Sequence, residues 1–212
     1  MGEGLEKPLF RPAPGMRLVL ASGSPRRRQF LAEWGVPFAV RPVAGEPDPK
    51  ADEPAADFVA RCAAYKLDHA ERAEGETVIA ADTVVALDDR IMGKPDGEAG
   101  ALAMLQALAG RDHQVITAVA VEFPDGSRAC TADVCHVHMQ AWGTEALQAY
   151  VGTGECLDKA GAYAIQGIGA FLVDRIDGSW STVVGLPVSW LARQLADRGV
   201  IVPALRKAGE QA

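Results

Sequence analysis

The chain has 212 residues, 49% of them hydrophobic and 23% charged, with a formal net charge of -7. That length suits one well-buried domain or two small lobes sharing a core. The negative balance excludes a global attraction to nucleic acid or an anionic membrane, and no apolar run approaches the roughly 20 residues of a membrane span.

The opening "MGEGLEKPLFRPAPG" has neither the apolar core nor the cleavage site of a secretory signal. Its Gly and Pro content predicts a loose tail over residues 1–15, ahead of a single unit over residues 16–212. Arg17–Ala21, "RLVLA", has the brevity and branching of a buried strand. Ser24 then offers an N-cap oxygen, Pro25 suits the first helical position and Gly35 is a natural stop, so "SGSPRR" is a strand-to-helix turn. A Pro-rich connection leads to the helix "AADFVARCAAYKLDHA", with Phe58, Cys62, Tyr65 and either Leu67 or His69 on one face. "ETVIAADTVVALDDR" predicts a long strand from Thr77 to Leu87 whose interior carries the polar pair Asp82 and Thr83. After "MGKPDG" comes an amphipathic helix marked by Leu102, Leu105 and Leu108 and closed by Gly110. "QVITAVAVEF" and "ACTADVCHVHMQ" flank the turn "PDG" as an antiparallel pair. A helix follows Thr144, then a Gly-rich stretch, and a last helix starts near Pro187. Strands and helices interleave without repeats, which predicts an α/β fold with a mixed β-sheet and flanking helices.

Several residues stand out from this frame. A helix N-terminus presents unpaired amides and partial positive charge, which suits a phosphate. Arg26 and Arg27 lie in the first turn, where their charge opposes the helix dipole, so a phosphate-binding role competes with a solvated basic face. Asp82 is costly to bury as an ion unless it binds a cation or accepts hydrogen bonds. It reads either as a strand-end cap or as a metal ligand or base. Lys94 lies in a Gly- and Pro-flanked loop that lacks the spacing of a Walker motif, Lys66 sits on a helix, and Gln166 stands between residues that allow close backbone approach. His136 and His138 share a strand face without a third ligand nearby, and Cys62, Cys130, Cys135 and Cys156 form no metal spacing. The cysteines read as reduced packing residues of a cytoplasmic protein.

"LASGSPRR", "ADTVV", "GKP", "VITAVAV", "DKAGAYAIQG" and "IDGSWSTVVGLP", in this order from Leu18 to about Leu195, resemble the Maf family of nucleoside triphosphate pyrophosphatases. The resemblance implies two lobes around a cleft, as in the inosine triphosphatase architecture. It also implies a divalent cation, Mg2+ or Mn2+, and a cytoplasmic enzyme that is usually a homodimer. "SPRRR", "ADT" and "GAYAIQG" look like the branch acting on dTTP and UTP. Asp82 would then be the proton acceptor, and Arg26, Thr83 and Gln166 the specificity positions. Ser22, Arg27, Lys66 and Lys94 fall on positions that hold phosphates. The acidic patch that follows in the family reads "VAGEPDPKADEP" here, leaving Glu46 and Asp48 as rivals for the second acidic residue that would hold the metal with Asp82. Two other readings compete: a nucleotide-binding regulator of cell division with little catalysis, and a pyrophosphatase for 7-methyl-GTP or modified nucleotides. None of these readings brings in a nucleic-acid or membrane partner.

Overall fold

A computed structural model of the chain describes residues 8–88 and 90–205. Its centre is a seven-stranded mixed sheet in the order β3-β2-β4-β6-β7-β8, with β5 paired to β4. The strands are β2 (Arg17–Leu20), β3 (Phe38–Val40), β4 (Glu76–Leu87), β5 (Arg90–Met92), β6 (Asp112–Glu122), β7 (Arg128–Met139) and β8 (Val173–Asp177). β2 runs parallel to β3 and β4, and the remaining pairs are antiparallel. Helix α1 (Pro25–Glu33) carries the turn predicted from Ser24, whose hydroxyl accepts from the Arg27 amide. Helices α2 (Ala55–Asp68), α3 (Gly97–Leu108), α4 (Thr144–Val151), α5 (Trp180–Val184) and α6 (Val188–Asp197) cover the sheet. Among the described residues no helix is long and apolar enough to cross a membrane.

β4 and β6 are buried on both faces, which is why their sequences run apolar almost without alternation. On one face, Val78, Ala80, Val84 and Ala86 pack with Ile116, Ala118 and Ala120 against Phe58, Val59, Cys62 and Leu67 of α2. The other face is divided. At one end Ile79, Ala81, Val119 and Val121 pack under α1 and α6, and at the other Val85, Leu87, Val115 and Val137 pack under α3 and α4. Thr83 and Thr117, directly opposite each other in the register, stand between the two apolar clusters. This polar seam is what makes two lobes of one sheet.

Three sequence expectations need correcting. Phe10–Pro12 is not part of a loose tail: it forms strand β1, antiparallel to β9 (Ile201–Pro203) near the other end of the chain. The tail's first seven residues, and residues 206–212 of the predicted unit, lie outside the described residues. On α2 the inward face is Phe58, Val59, Cys62, Ala63 and Leu67, while Tyr65 is half-buried and His69 exposed, because the buried face is turned toward the row Val59, Ala63 and Leu67, which follow one another at i+4. Cys130 is exposed on β7 and is no packing residue, whereas Cys62, Cys135 and Cys156 are buried free thiols.

Candidate active site

The pairing of β2 with β4 ends at Ile79 and that of β5 begins at Val85. Between them one edge of β4 is open, and a cleft of about 580 Å³ wraps around it. That volume falls within the usual range for small-molecule sites. An exposed strand edge carries main-chain groups that need partners. Arg27 supplies one, with Nη1 donating to the Ala81 carbonyl at 2.8 Å.

Arg27 is buried and its other donors are also engaged. Nε donates to the Gly185 carbonyl at 2.8 Å, Nη1 to Ser22 Oγ at 3.0 Å and Nη2 to Thr83 Oγ1 at 2.9 Å. Four of the five guanidinium N–H groups therefore serve the protein itself. Burial lowers its pKa, an effect opposed by the nearby Asp82 carboxylate. Arg27 thereby ties α1, β4 and the turn after α5 together, and it lines the cleft with one N–H left over. Ser22 faces the same guanidinium and also accepts from the Ser24 amide.

Hydrogen-bond direction along the seam follows from the Thr182 carbonyl, which can only accept. Thr117 Oγ1 donates to the Thr182 carbonyl at 2.7 Å, so the Thr83 hydroxyl donates to Thr117 Oγ1 at 2.9 Å and accepts from Arg27. Thr83, which lines the cleft, therefore turns its proton toward β6.

Asp82 points to the opposite face, toward α2, as the two-residue period of a strand requires. Its Oδ1 lies 2.9 Å from Lys66 Nζ, and Glu46 Oε2 lies 3.3 Å from the same ammonium. The Cys62 thiol behind it is pushed up to about 12, by burial first and then by Asp82, and remains protonated. Asp82 and Glu46 are hard oxygen donors that meet at the Lys66 ammonium, and they are the residues that would hold Mg2+ or Mn2+ were phosphate oxygens to complete the shell. Asp48 also lines the cleft, and its carbonyl accepts from Arg61. Among the described residues no group of three or more His, Cys, Asp or Glu side chains could hold a metal ion unaided.

The rest of the cleft comes from loops. Gly161, at φ +67° and packed against Val85, donates its amide to the Gly93 carbonyl at 3.1 Å, which fastens the Lys94 loop to the turn at residues 160–162. Gln166 follows in the same strap. Ser22, Arg26, Arg27, Glu46, Lys66, Asp82, Thr83, Lys94 and Gln166 all line this single cavity. Lys66 is shared by Asp82 and Glu46, while Arg26 and Lys94 form no ion pair among the described residues. His136 and His138 lie elsewhere, on β7, where His138 pairs with Asp112.

A profile of the Maf-like protein family matches residues 17–198. The chain belongs to that family. This Maf-like chain is 52% identical over 198 residues to a dTTP/UTP pyrophosphatase from Oleidesulfovibrio alaskensis, covering 92% of this chain and 90% of that one. It is 51% identical to a protein of the same name from Nitratidesulfovibrio vulgaris, covering 87% and 89%. Among solved structures, a nucleoside-triphosphatase / dITP/XTP pyrophosphatase from Mycobacterium abscessus aligns over 87% of this chain and 94% of that one, with 17% identity and a TM-score of 0.41.

The Maf-like cleft also contains residues that sequence reasoning did not single out. Asp158 and Lys159 line it and pair with each other at 2.6 Å, and Tyr163 lies buried in its wall. The signal for them was slight: two neighbouring charges at the head of "DKAGAYAIQG", indistinguishable from a solvated turn without the fold.

Proposed function

We propose that this chain hydrolyses dTTP and UTP to the nucleoside monophosphate and pyrophosphate, assisted by a divalent cation. The observation that carries the reading is that Arg26 and Lys94, which form no ion pair among the described residues, line the same cavity as Asp82. A triphosphate with one divalent cation keeps about two negative charges, which these two groups balance while the protein as a whole stays acidic. The dTTP/UTP pyrophosphatases from Oleidesulfovibrio alaskensis and Nitratidesulfovibrio vulgaris, to which the chain is similar, supply the substrate class.

In this reading the triphosphate lies across the start of α1, where the first-turn amides and Arg26 meet its oxygens. Asp82 accepts the proton of a water that attacks the α-phosphorus as the bond to the β-phosphate oxygen breaks. Lys66 holds that carboxylate in direction from 2.9 Å. A bound Mg2+ or Mn2+, held by Asp82 and Glu46, would supply Lewis-acid polarisation of phosphate oxygens. The Gln166 amide presents one donor and one acceptor to the matching pair on uracil or thymine. One methyl separates those bases, worth roughly 1–3 kcal/mol in a pocket, so both are accepted. The free thiols fit a cytoplasmic enzyme, and the homodimer implied by the family resemblance belongs to the same reading.

A panel of triphosphates, including CTP, GTP and 7-methyl-GTP, incubated with Mg2+ or Mn2+ and assayed for pyrophosphate, tests this. We expect dTTP and UTP to lead. Pyrophosphate release confined to 7-methyl-GTP, or none with any nucleotide, overturns it; the second outcome favours a binding regulator.

A further inference from the structure

Among the described residues the Gln166 side chain makes no hydrogen bond to protein, so its aim depends on how its main chain is held. That main chain is held from both sides. Ahead of it, the Ala164 amide donates to Tyr150 Oη at 3.2 Å. Behind it, the Ile168 amide donates to Glu155 Oε1 at 3.0 Å and the Gly169 amide to Glu155 Oε2 at 2.8 Å. The two anchors are joined, since Tyr150 Oη donates to Glu155 Oε2 at 2.9 Å.

The chemistry suits a rigid device. Burial alone would raise the Glu155 carboxyl, yet the two amides, Tyr150 and Lys159 hold it below the usual carboxylate range. Burial and then Glu155 push the Tyr150 phenol up, so it keeps its proton and donates. Space is also tight. Gly167 has φ +72°, and a Cβ there would collide with Glu155 Oε1. A Cβ on Gly169 would come within 2.5 Å of Tyr150 Oη. The glycines on the C-terminal side of Gln166 therefore let the strap close onto the carboxylate.

We infer that Glu155 and Tyr150 are positioning residues for nucleobase selection, a clamp that fixes the Ala164–Gly169 strap and so the direction in which Gln166 meets the base. This rests on Gln166 being the base reader. The clamp sets the place and approach from which Gln166 meets the base, and the turn of its terminal amide is left to the groups it meets there.

The test compares kcat/KM for UTP with that for CTP in wild type, Glu155→Gln and Tyr150→Phe, alongside amide hydrogen exchange of residues 164–169. Glu155→Gln replaces one acceptor oxygen by a donor facing an amide. We expect the UTP:CTP ratio to fall about tenfold, mainly through KM for UTP, with faster exchange at Ile168 and Gly169 and unchanged exchange in β4. Tyr150→Phe keeps the carboxylate-to-amide pair and shows a smaller fall. A merely structural loss lowers both substrates by the same factor. An unchanged ratio in Glu155→Gln therefore overturns the clamp, whatever the exchange shows. Wild-type protein that does not prefer UTP over CTP removes the Gln166 reading instead, before any variant is compared.

Discussion

Asp82 and Thr83 are neighbours in sequence and face opposite sides of one strand. Asp82 meets Lys66 of α2, and Thr83 meets Arg27 of α1. Replacing Asp82 by Asn keeps the shape and removes the proton acceptor, while Lys66 retains Glu46. Asp82→Asn should fold with a melting temperature within a few degrees of wild type and lose at least about a hundredfold in kcat. Wild-type pyrophosphate release by this variant would take Asp82 out of the chemistry. Arg27→Lys is a change of another kind. A lysine has a charge but no planar fork, and it leaves the Ala81 carbonyl, Ser22 and Thr83 without several donors in a buried setting. The expected cost is about 2–4 kcal/mol, read as a fall of roughly 5–15 °C in thermal melting. The Arg triplet was visible in the sequence as a conflict with the helix dipole. Which arginine turns inward was not, because successive helical residues diverge by about 100° and only the tertiary partners decide.

The elements themselves were mostly legible. Ser24, Pro25 and Gly35 mark α1 by local chemistry that needs no partner, and the β-branched apolar runs of β4 and β6 and the alternation of β7 mark strands. β1 and β9 were not legible, since each has three residues and is stabilised by a strand at the far end of the chain. The Glu155 and Tyr150 anchors escaped for the same reason: their meaning lies in amides that arrive by folding. One prediction isolates an element that shapes the cleft. In Gly161→Ala the new Cβ meets Val85 Cγ2 at 2.9 Å at φ +67°, whereas in Gly126→Ala, at φ +79°, nothing lies within 4 Å. Both changes strain the backbone, by about 1 kcal/mol. Gly161→Ala alone should also raise KM for UTP, because its turn holds the Lys94 loop through Gly93. Equal KM values in the two variants would dissociate that turn from substrate binding.

At the scale of the molecule, the seam of Thr83, Thr117 and Thr182 divides the core, and His113 lies buried beyond it against Tyr163, with Nε2 2.7 Å from the phenol oxygen. Burial pulls the His113 pKa down from 6.5 to about 4, and its Nδ1 has no hydrogen-bond partner among the described residues that a second proton would need. Between those values the unfolded chain binds the proton more readily than the folded one. Stability is therefore complete above about pH 7 and declines as pH falls toward 4, by up to about 3 kcal/mol. Glu76, held down to about 2 by Arg41, gives a separate decline below its ordinary 4.5. Melting curves from pH 7.5 to 4 should show the upper decline flattened in His113→Gln. A slope identical to wild type would assign it to other groups.

The pairing of β1 with β9 sets residues 10–12 beside residues 201–203, so two segments far apart in sequence lie side by side. Joining residue 205 to residue 8 with a short Gly/Ser bridge, and opening the polypeptide at the hairpin tip Pro124–Gly126, leaves every cleft residue on its own strand or loop. Such a circular permutant should turn over UTP at close to the parental rate.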